Sequence, residues 1–406
     1  ARRVRDCGIS GEKPIRRLKL RTPAGRSQVD GTVRVPRDPV RPVEAGETRL
    51  VEKGARSFRE KADPVGRLAL LSAALLLLLG EGGCLYRKPW TDDALTARPP
   101  ADLPPLPAGP ALRVLILGDF GTGEDGQHEV ARAIADTHAS APPDLVLTVG
   151  DNFYPSGVRG LYDPLFESTF ERVYAGPFWE PLVFFPTLGN HDYEGSIKDQ
   201  IQYSERNPRW SLTAQHYTFQ KPLPSGESVR FLALDAHNIR MRGSTTERQL
   251  TWVDSVLAVA DDRWIVAYAH QPMATVGLHR ANESMLERLA PRLEGRAQVY
   301  MAGHNHSMEL LPISKNLLQV VCGGGGGRDN PYPLRDPQKA IYAFTHGGWC
   351  FLHFYDDSLV IDLYDRAGLL RYRHVVPHPS CPGPGGPAEP GGIYLQTSRA
   401  TSTVRR

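Results

Sequence analysis

Short apolar runs alternate with segments of helical periodicity through much of this sequence, and this alternation limits the fold more than any other feature. The apolar runs read RVLIL, DLVLTV, LVFFPTL, RFLAL, WIVAY and QVYMA. Each contains β-branched or aromatic residues, as buried strands do. Helical spacing occurs between them, for example in GQHEVARAIADTHAS and TTERQLTWVDSVLAVA. Strands that alternate with helices in this way predict an α/β fold.

The alternating texture fills the middle of the chain, and we predict a single catalytic domain over residues 111–378. After about residue 317 the helical periodicity disappears, and the remaining segments predict antiparallel strands. Residues 85–110 are rich in proline, which predicts a linker. Residues 379–406 are rich in Pro, Gly and Ser, which predicts a flexible tail.

Basic charge is concentrated in residues 1–64. They carry 17 Lys and Arg against 9 Asp and Glu, a net charge of +8, so that subtraction from the whole-chain net of +3 leaves −5 for the rest. A nucleic-acid-binding protein needs its basic charge on the folded part, so we expect no nucleic-acid partner. We interpret this leader either as a disordered basic arm or as upstream sequence that is not translated, and we favour the second.

Residues 65–84 have the character of an export signal. Arg67 precedes twelve apolar or small residues, Leu68–Leu79, which are too few to span a bilayer comfortably because spanning takes ~20 residues. We therefore expect a periplasmic, membrane-anchored or secreted protein. Cys84 follows two glycines and resembles the lipid-modified cysteine of bacterial lipoproteins, which predicts a lipid anchor, whereas Glu81 argues against one.

Two features near residue 320 leave alternatives open. In an oxidising compartment Cys322 and Cys350 could form a disulfide, and the alternative of small buried or free thiols is equally good. The glycine run Gly323–Gly327 either lets the backbone pass close to a site or forms a mobile loop.

Polar clusters follow five of the apolar runs: GDFG, GDNFY, GNHD, AH and GHNH. In open α/β sheets, ligands bind beyond the carboxyl ends of the strands, so we predict that these clusters converge on one site. Each cluster alone is a weak signal, because a Gly-Asp after a strand is usually a turn and a lone histidine is usually a core residue. His304 and His306 would share one face of an extended strand. Together the candidates are two carboxylates, three imidazoles, an amide and a phenol: Asp119, Asp151, Tyr154, Asn190, His270, His304 and His306.

These side-chain types suit a pair of metal ions, since one carboxylate can bridge two cations. Two ions ~3.5–4 Å apart can hold both the attacking and the leaving oxygen of a phosphoryl displacement. Tyr154 narrows the choice of metal. A phenol with a pKa of ~10 ionises near neutral pH only beside a strong Lewis acid, which favours Fe³⁺ over Zn²⁺ or Mg²⁺.

The ordered series GDFG, GDNFY, GNHD, AHQP and GHNH resembles the calcineurin-like metallophosphoesterases, and among them the short, tartrate-resistant type of purple acid phosphatase. The resemblance runs from about Leu112 to Val376 and implies a four-layer α/β/β/α sandwich of two mixed sheets flanked by helices. It implies a dinuclear centre of Fe(III) and a divalent ion (Fe, Zn or Mn) bridged by Asp151. The implied ligands are Asp119, Tyr154 and His306 for Fe(III), and Asn190, His270 and His304 for the divalent ion.

The resemblance also implies roles for residues outside the metal shell. His191 would face the phosphate, and His279 would be a second outer histidine, for which the alternative is an exposed loop histidine. Asp192 would orient its neighbours. The implied reaction is hydrolysis of a small phosphomonoester by a metal-bound hydroxide, with both histidines stabilising charge and protonating the leaving oxygen. The alternatives are a phosphodiesterase of the same superfamily and an exported metal- or phosphate-binding protein without turnover.

Overall fold

The structure, a computed structural model, describes residues 103–327 and 332–380. The leader and export segment predicted from the sequence lie outside these residues, as do most of the predicted linker and tail. Regular secondary structure begins at Leu112 and ends at Pro377. None of the helices within the described ranges has the length and apolar character that a membrane span requires.

Thirteen strands and seven α-helices make up the described fold, with a short π-helical segment at Phe166–Glu171 and a 3₁₀ turn at Pro337–Lys339. The strands are β1 (Leu112–Leu117), β2 (Leu145–Thr148), β3 (Phe184–Pro186), β4 (Tyr217–Pro222), β5 (Ser228–Ala233), β6 (Trp264–Tyr268), β7 (Val299–Ala302), β8 (Met308–Pro312), β9 (Leu318–Cys322), β10 (Tyr342–Phe344), β11 (Gly348–Phe354), β12 (Ser358–Asp365) and β13 (Leu370–Pro377). The helices are α1 (Asp125–Thr137), α2 (Asn190–Tyr193), α3 (Ile197–Tyr203), α4 (Ala236–Met241), α5 (Thr246–Val259), α6 (Glu283–Arg288) and α7 (Ala290–Leu293).

The strands form two mixed sheets. One sheet has six strands in the order β13-β12-β11-β1-β2-β3, and the other has seven in the order β10-β8-β9-β7-β6-β5-β4. In the first sheet β1, β2 and β3 are parallel, and in the second β5, β6, β7 and β9 are parallel. Parallel neighbours bring the carboxyl ends of their strands to the same edge, which is where the polar clusters lie.

The seven-stranded sheet is buried on both faces, as its alternating side chains show. On β6, Val266 packs in the core that the two sheets share, whereas its neighbours Ile265 and Ala267 pack in a second core with residues of α4–α7. On the six-stranded sheet, α1 contributes Val130, Ala131 and Ile134 to the main core. Two mixed sheets with helices on their outer sides confirm the predicted α/β sandwich.

The carboxyl-terminal part of the fold differs in one respect from the sequence-based prediction. Strand β9 pairs antiparallel with β8 but parallel with β7, so the region after residue 317 is not purely antiparallel. The physical reason is that β8 and β9 form a hairpin, and the second strand of that hairpin, β9, fills the place beside β7. An apolar run such as LQVVC has no feature that distinguishes the two pairings.

The two alternatives left open near residue 320 are resolved by the packing. Cys322 and Cys350 are buried free thiols in contact with each other, and burial raises the pKa of the Cys350 thiol well above its usual value. The glycine run passes close to the polar clusters, because a Cβ added at Gly323 would lie 2.9 Å from Oδ2 of Asp119 and 1.9 Å from the carbonyl oxygen of Asn305. The close backbone approach, not the mobile loop, is the interpretation that fits.

Candidate metal centre

The polar clusters come from both sheets and meet at one edge of the sandwich. Asp119 follows β1, Asp151 follows β2 and Asn190 begins α2 just after β3. From the other sheet, His270 follows β6, and the segment with His304 and His306 follows β7. All seven side chains predicted from the sequence are connected by the contacts described below, in two groups.

The first group is centred on the phenol of Tyr154. Its Oη lies 3.2 Å from Nε2 of His306, 3.4 Å from Oδ1 of Asp119 and 3.0 Å from Oδ2 of Asp151. Asp119 is fully buried, and both of its oxygens accept hydrogen bonds from the backbone N–H of His304. This group contains the three residues that the resemblance assigns to Fe(III).

The second group is centred on the imidazole of His270. Its Nε2 lies 3.1 Å from Oδ1 of Asn190, 3.2 Å from Nδ1 of His304 and 3.3 Å from Oδ2 of Asp151. The other nitrogen, Nδ1, donates to the carbonyl oxygen of Val149 at 2.8 Å, so the Nε2 side is oriented toward the site. This group contains the three residues that the resemblance assigns to the divalent ion.

Asp151 joins the two groups through a single oxygen. Its Oδ2 lies 3.0 Å from Oη of Tyr154 and 3.3 Å from Nε2 of His270. Its other oxygen, Oδ1, accepts the backbone N–H of His191 at 3.0 Å. The carboxylate is therefore held by the backbone on one side and exposes one oxygen to both groups on the other.

The backbone is strained at three of the candidate residues. Among the described residues, five other than glycine have positive φ, and they include Asp119 (φ 55°), Asp151 (φ 52°) and His304 (φ 69°). Such conformations are unfavourable for residues with a Cβ and concentrate at functional sites.

The prediction that His304 and His306 share one face of a strand is wrong. β7 ends at Ala302, and the two histidines lie in the bend that precedes β8. The left-handed conformation of His304 turns the chain, so this imidazole contacts His270 while His306 contacts Tyr154. Each histidine therefore belongs to a different group.

The electrostatics of the site fit a cationic occupant. Burial raises the pKa of Asp119, and burial together with the charges of Asp119 and Asp151 raises the pKa of Tyr154 far above its usual value. Burial alone would lower the pKa of His270, but the two carboxylates raise it to about 9. The cluster thus concentrates negative charge in the core, which a bound metal ion can offset.

The distances between possible ligand atoms also fit a cationic occupant. Within the described ranges, Asp119, Asp151 and His270 are the group of buried acidic and histidine side chains whose ligand atoms all lie within 4.8 Å of one another. Carboxylate and imidazole are ordinary ligands of first-row metals. A buried cluster able to hold a metal ion is therefore present at the predicted position.

The outer histidine His191 lies beside the first group. Its ring is 4.6 Å from that of Tyr154, and its Nδ1 donates to the carbonyl oxygen of Pro155 at 2.5 Å. That hydrogen bond fixes the tautomer, so Nε2 is the nitrogen available to a substrate. The imidazole of His191 therefore lies outside the group of ligand atoms, which is the position that the resemblance implies.

His279 lies beside the second group, with its ring stacked on that of His304 at 4.1 Å. Oδ1 of Asn305 accepts the backbone N–H of His279 at 2.8 Å. The preceding loop is fixed by Glu309, a buried carboxylate that accepts the N–H of Val276 and the hydroxyl of Thr275. His279 is an exposed loop residue, as the alternative had it, but the His304 and Asn305 contacts place it beside the second group.

Asp192 contacts the chain segments around the site and does not contact the ligand atoms at the centre of the site. The side chain is fully buried and accepts hydrogen bonds from the backbone N–H groups of Gly189 and Asn152 and from the side chain of Gln200. It thus links the loop after β2 to the start of α2, an orienting role of the kind that the sequence suggested.

We expect Gly189→Ala to weaken metal binding, because a Cβ at this position would lie 2.1 Å from Oδ1 of Asp151. Displacing an outer contact of this kind typically costs ~10–100-fold in metal affinity. Gly160→Ala is the matched control, since a Cβ at Gly160 meets no atom within 4 Å. Titration of both variants with a divalent metal measures the effect, and equal affinities would show that the space beside Asp151 is unimportant.

Sequence reasoning missed several residues around the site. Asn305 and Glu309 hold the loop of His279, but a buried polar residue in a strand or a bend gives no signal of its partner. Arg240 and Arg280 are forty positions apart in the chain and line one cleft beside His279. Only the packing of α4 against the loop before α6 brings them together.

Comparison with known proteins agrees with the fold and with the resemblance. The calcineurin-like phosphoesterase family matches residues 112–308. Tartrate-resistant acid phosphatase type 5 of Sus scrofa is 28% identical over 267 residues, covering 60% of this chain and 76% of the relative. The Homo sapiens protein of the same name is 28% identical over 282 residues, covering 63% and 85%. Purple acid phosphatase 7 of Arabidopsis thaliana is 26% identical over 283 residues, covering 65% and 85%.

Among solved structures, GAP50, the anchor in the inner membrane complex of Plasmodium, superimposes with a TM-score of 0.60 at 21% identity, covering 66% of this chain and 90% of that one. At this identity the likeness concerns the fold. The sequence relatives indicate the family. The chain therefore carries a calcineurin-like metallophosphoesterase domain and is homologous to the tartrate-resistant and purple acid phosphatases.

Proposed function

We propose that this protein is a dinuclear-metal hydrolase of phosphomonoesters. The observation that carries the proposal is the position of Oδ2 of Asp151, which lies within 3.3 Å of both Tyr154 and His270 and so belongs to both groups of ligand atoms. A carboxylate placed in this way suits a bridge between two cations. The homologues support phosphoester hydrolysis as the reaction class.

The residues that would hold the ions follow from the two groups. Asp119, Tyr154 and His306 would hold Fe(III), and Asp151 would bridge to a divalent ion. The remaining three, Asn190, His270 and His304, would hold that divalent ion. When bound, such a pair supplies Lewis acidity, which lowers the pKa of a water molecule and offsets the charge of a phosphate group.

The chain's own residues position the substrate and handle its protons. His191, fixed through Nδ1 to Pro155, presents Nε2 for a phosphate oxygen or for the leaving oxygen. His279 lies at the opposite group, stacked on His304 and anchored by Asn305. Two imidazoles on two sides of the centre can stabilise charge in the transition state and protonate the leaving alcohol.

Two rival functions make different use of these residues. A phosphodiesterase of the same superfamily more often lacks a tyrosine ligand, whereas Tyr154 here contacts both Asp119 and Asp151. A protein that only binds metal or phosphate has no need for proton donors, whereas His191 and His279 are both held at the site. A small phosphorylated substrate therefore fits these observations best.

Parallel assays test the function. Purified, iron-loaded protein should hydrolyse phenyl phosphate and should turn over bis(phenyl) phosphate at least about tenfold more slowly, a difference of about 1.4 kcal/mol in the barrier. A preference for the diester would favour the phosphodiesterase. Phosphate binding with no turnover of either ester would favour the binding protein.

We expect Tyr154→Phe to abolish visible colour in the iron-loaded protein. A phenolate bound to Fe(III) gives charge-transfer absorption in the visible region, and Tyr154 is the phenol that contacts Asp119 and His306. Tyr193→Phe is a control, since its hydroxyl is bonded to Asp235 away from the ligand atoms. Visible spectra with metal analysis decide this, and a colourless wild type with full iron occupancy would exclude the Tyr154 assignment.

We also propose that the protein is exported. This proposal rests on the signal-like segment 65–84 and on Cys84, which resembles the lipid-modified cysteine of bacterial lipoproteins; both lie outside the described residues. The net charge of −5 on the residues after the leader argues against a nucleic-acid partner.

A further inference from the structure

A cleft of about 380 Å³ opens from the metal centre on the side of His279 and His304. We call it the arginine cleft, because its wall contains Arg240, Arg242 and Arg280. Its volume falls within the ~300–1,000 Å³ typical of ligand sites. A cleft of this size beside the phosphate site has room for the organic part of a substrate.

The cationic wall of the arginine cleft is poorly neutralised. Within residues 103–327 and 332–380, Arg240 and Arg280 form no ion pair, and the side chain of Arg240 donates a hydrogen bond to Sδ of Met241 at 3.5 Å. Arg242 pairs with Glu287 at 3.5 Å, with both side chains about two-thirds exposed. Such an exposed pair holds its partners weakly, so the arginine remains available to another anion.

Buried amide groups in the same lining lack partners, which is an independent sign of a ligand. Gln271 is 1% exposed, and neither its Oε1 nor its Nε2 has a hydrogen-bond partner among the described residues. Nδ2 of Asn282 is also buried without a partner there. Buried polar atoms are nearly always satisfied in folded proteins, so unpaired donors and acceptors in the lining leave hydrogen bonds for a bound molecule or an ordered water to make.

We propose that the arginine cleft binds the leaving-group part of the substrate, and that this part carries a second anionic group, a carboxylate or a phosphate. Guanidinium groups recognise both of these anions through paired hydrogen bonds. Arg240 and Arg280 would bind the anion, and Gln271 would bind neighbouring polar atoms. The inference rests on the proposed phosphomonoesterase function and names its substrate class.

Arg240 lines the cleft together with His279 and His304, on its proposed catalytic side. Glu283 is the one acidic residue in the lining, so the three arginines leave the wall net positive. A leaving group that carries an anion is therefore attracted to the place where its ester oxygen lies beside the metal centre.

Three matched esters test the proposal: phenyl phosphate, 4-carboxyphenyl phosphate and 1,4-phenylene bisphosphate. Their intrinsic reactivities differ, but the difference is the same for every variant, so the measured quantity is the ratio of kcat/KM to that for phenyl phosphate. In Arg240→Gln/Arg280→Gln we expect this ratio to fall about tenfold, or about 1.4 kcal/mol. The carboxylate and bisphosphate arms show which anion the cleft prefers.

Controls separate charge at the cleft from charge elsewhere. Arg132→Gln removes an exposed arginine on α1 outside the lining and should leave the ratio as in wild type. Arg240→Lys/Arg280→Lys keeps the charge but loses the paired hydrogen bonds, so it should keep part of the preference, more than the Gln double variant keeps. That order would not appear if substitution simply damaged the fold. Because exposed charges are screened, the wild-type preference should also shrink in 0.5 M salt.

Binding of non-hydrolysable probes distinguishes failure of this inference from failure of the proposed function. Calorimetry with phenylphosphonate and 4-carboxyphenylphosphonate should show at least about tenfold tighter binding of the carboxylated probe to wild type only. The same result without turnover of any ester would reject the phosphatase and keep the cleft. Turnover with no preference for the anionic esters, or a preference that persists in the Gln double variant, would overturn the cleft assignment.

Discussion

Asp151→Ala should release metal from both halves of the centre and lower phosphatase activity by at least about 10³-fold, because the Lewis-acid contribution of the ions is worth several kcal/mol. The reason is geometric. Oδ2 of Asp151 lies 3.0 Å from the phenol of Tyr154 and 3.3 Å from the imidazole of His270, so one substitution removes a ligand atom from each group. Metal analysis after dialysis, together with kcat, measures both effects.

Two further variants make the Asp151 result interpretable. Asp151→Asn keeps the shape of the side chain and its bond to the N–H of His191, but loses the charge, so it tests binding with the least effect on folding. Asp136→Ala removes an exposed carboxylate of α1 and should leave the metal content unchanged. If Asp151→Ala kept one ion at full occupancy, Asp151 would belong to one group only and the bridge would be wrong.

The fold and the members of the metal site were accessible from the sequence for physical reasons. Buried strands of a mixed sheet are apolar throughout, so the runs at β1, β2 and β6 stand out from their surroundings. The carboxyl ends of parallel strands share an edge, so polar residues that follow them converge. The sequence predicts Asp119, Asp151 and His270 in this way, from their positions after the strands.

Other features depend on backbone conformation and packing that no local pattern records. The division of His304 and His306 between two groups follows from a left-handed residue in a bend, whereas the sequence suggested an extended strand. The parallel pairing of β9 with β7 follows from the position of the β8–β9 hairpin. The arginine cleft combines Arg240 and Arg280, which are forty positions apart in the chain and carry no local signal that pairs them.

His191→Ala should keep both ions and lower kcat by ~10²–10⁴-fold, the usual cost of removing a general acid or base. No metal bond is lost, because the imidazole is held by Pro155 and by a tilted ring contact with Tyr154, outside the ligand atoms. The backbone N–H that supports Asp151 survives the substitution. Metal content and kcat therefore respond separately in this variant, whereas they fall together in Asp151→Ala.

The dependence of the loss of kcat on the leaving group shows which role His191 has. If Nε2 donates the proton, the loss should be large for alkyl phosphates, whose alkoxides are poor leaving groups, and small for nitrophenyl phosphate, which needs little protonation. If His191 only holds the phosphate, all esters should slow alike, and His279 becomes the acid. The same series with His279→Ala provides the comparison. Metal loss in His191→Ala as complete as in Asp151→Ala would make His191 an inner ligand and would reverse its assignment.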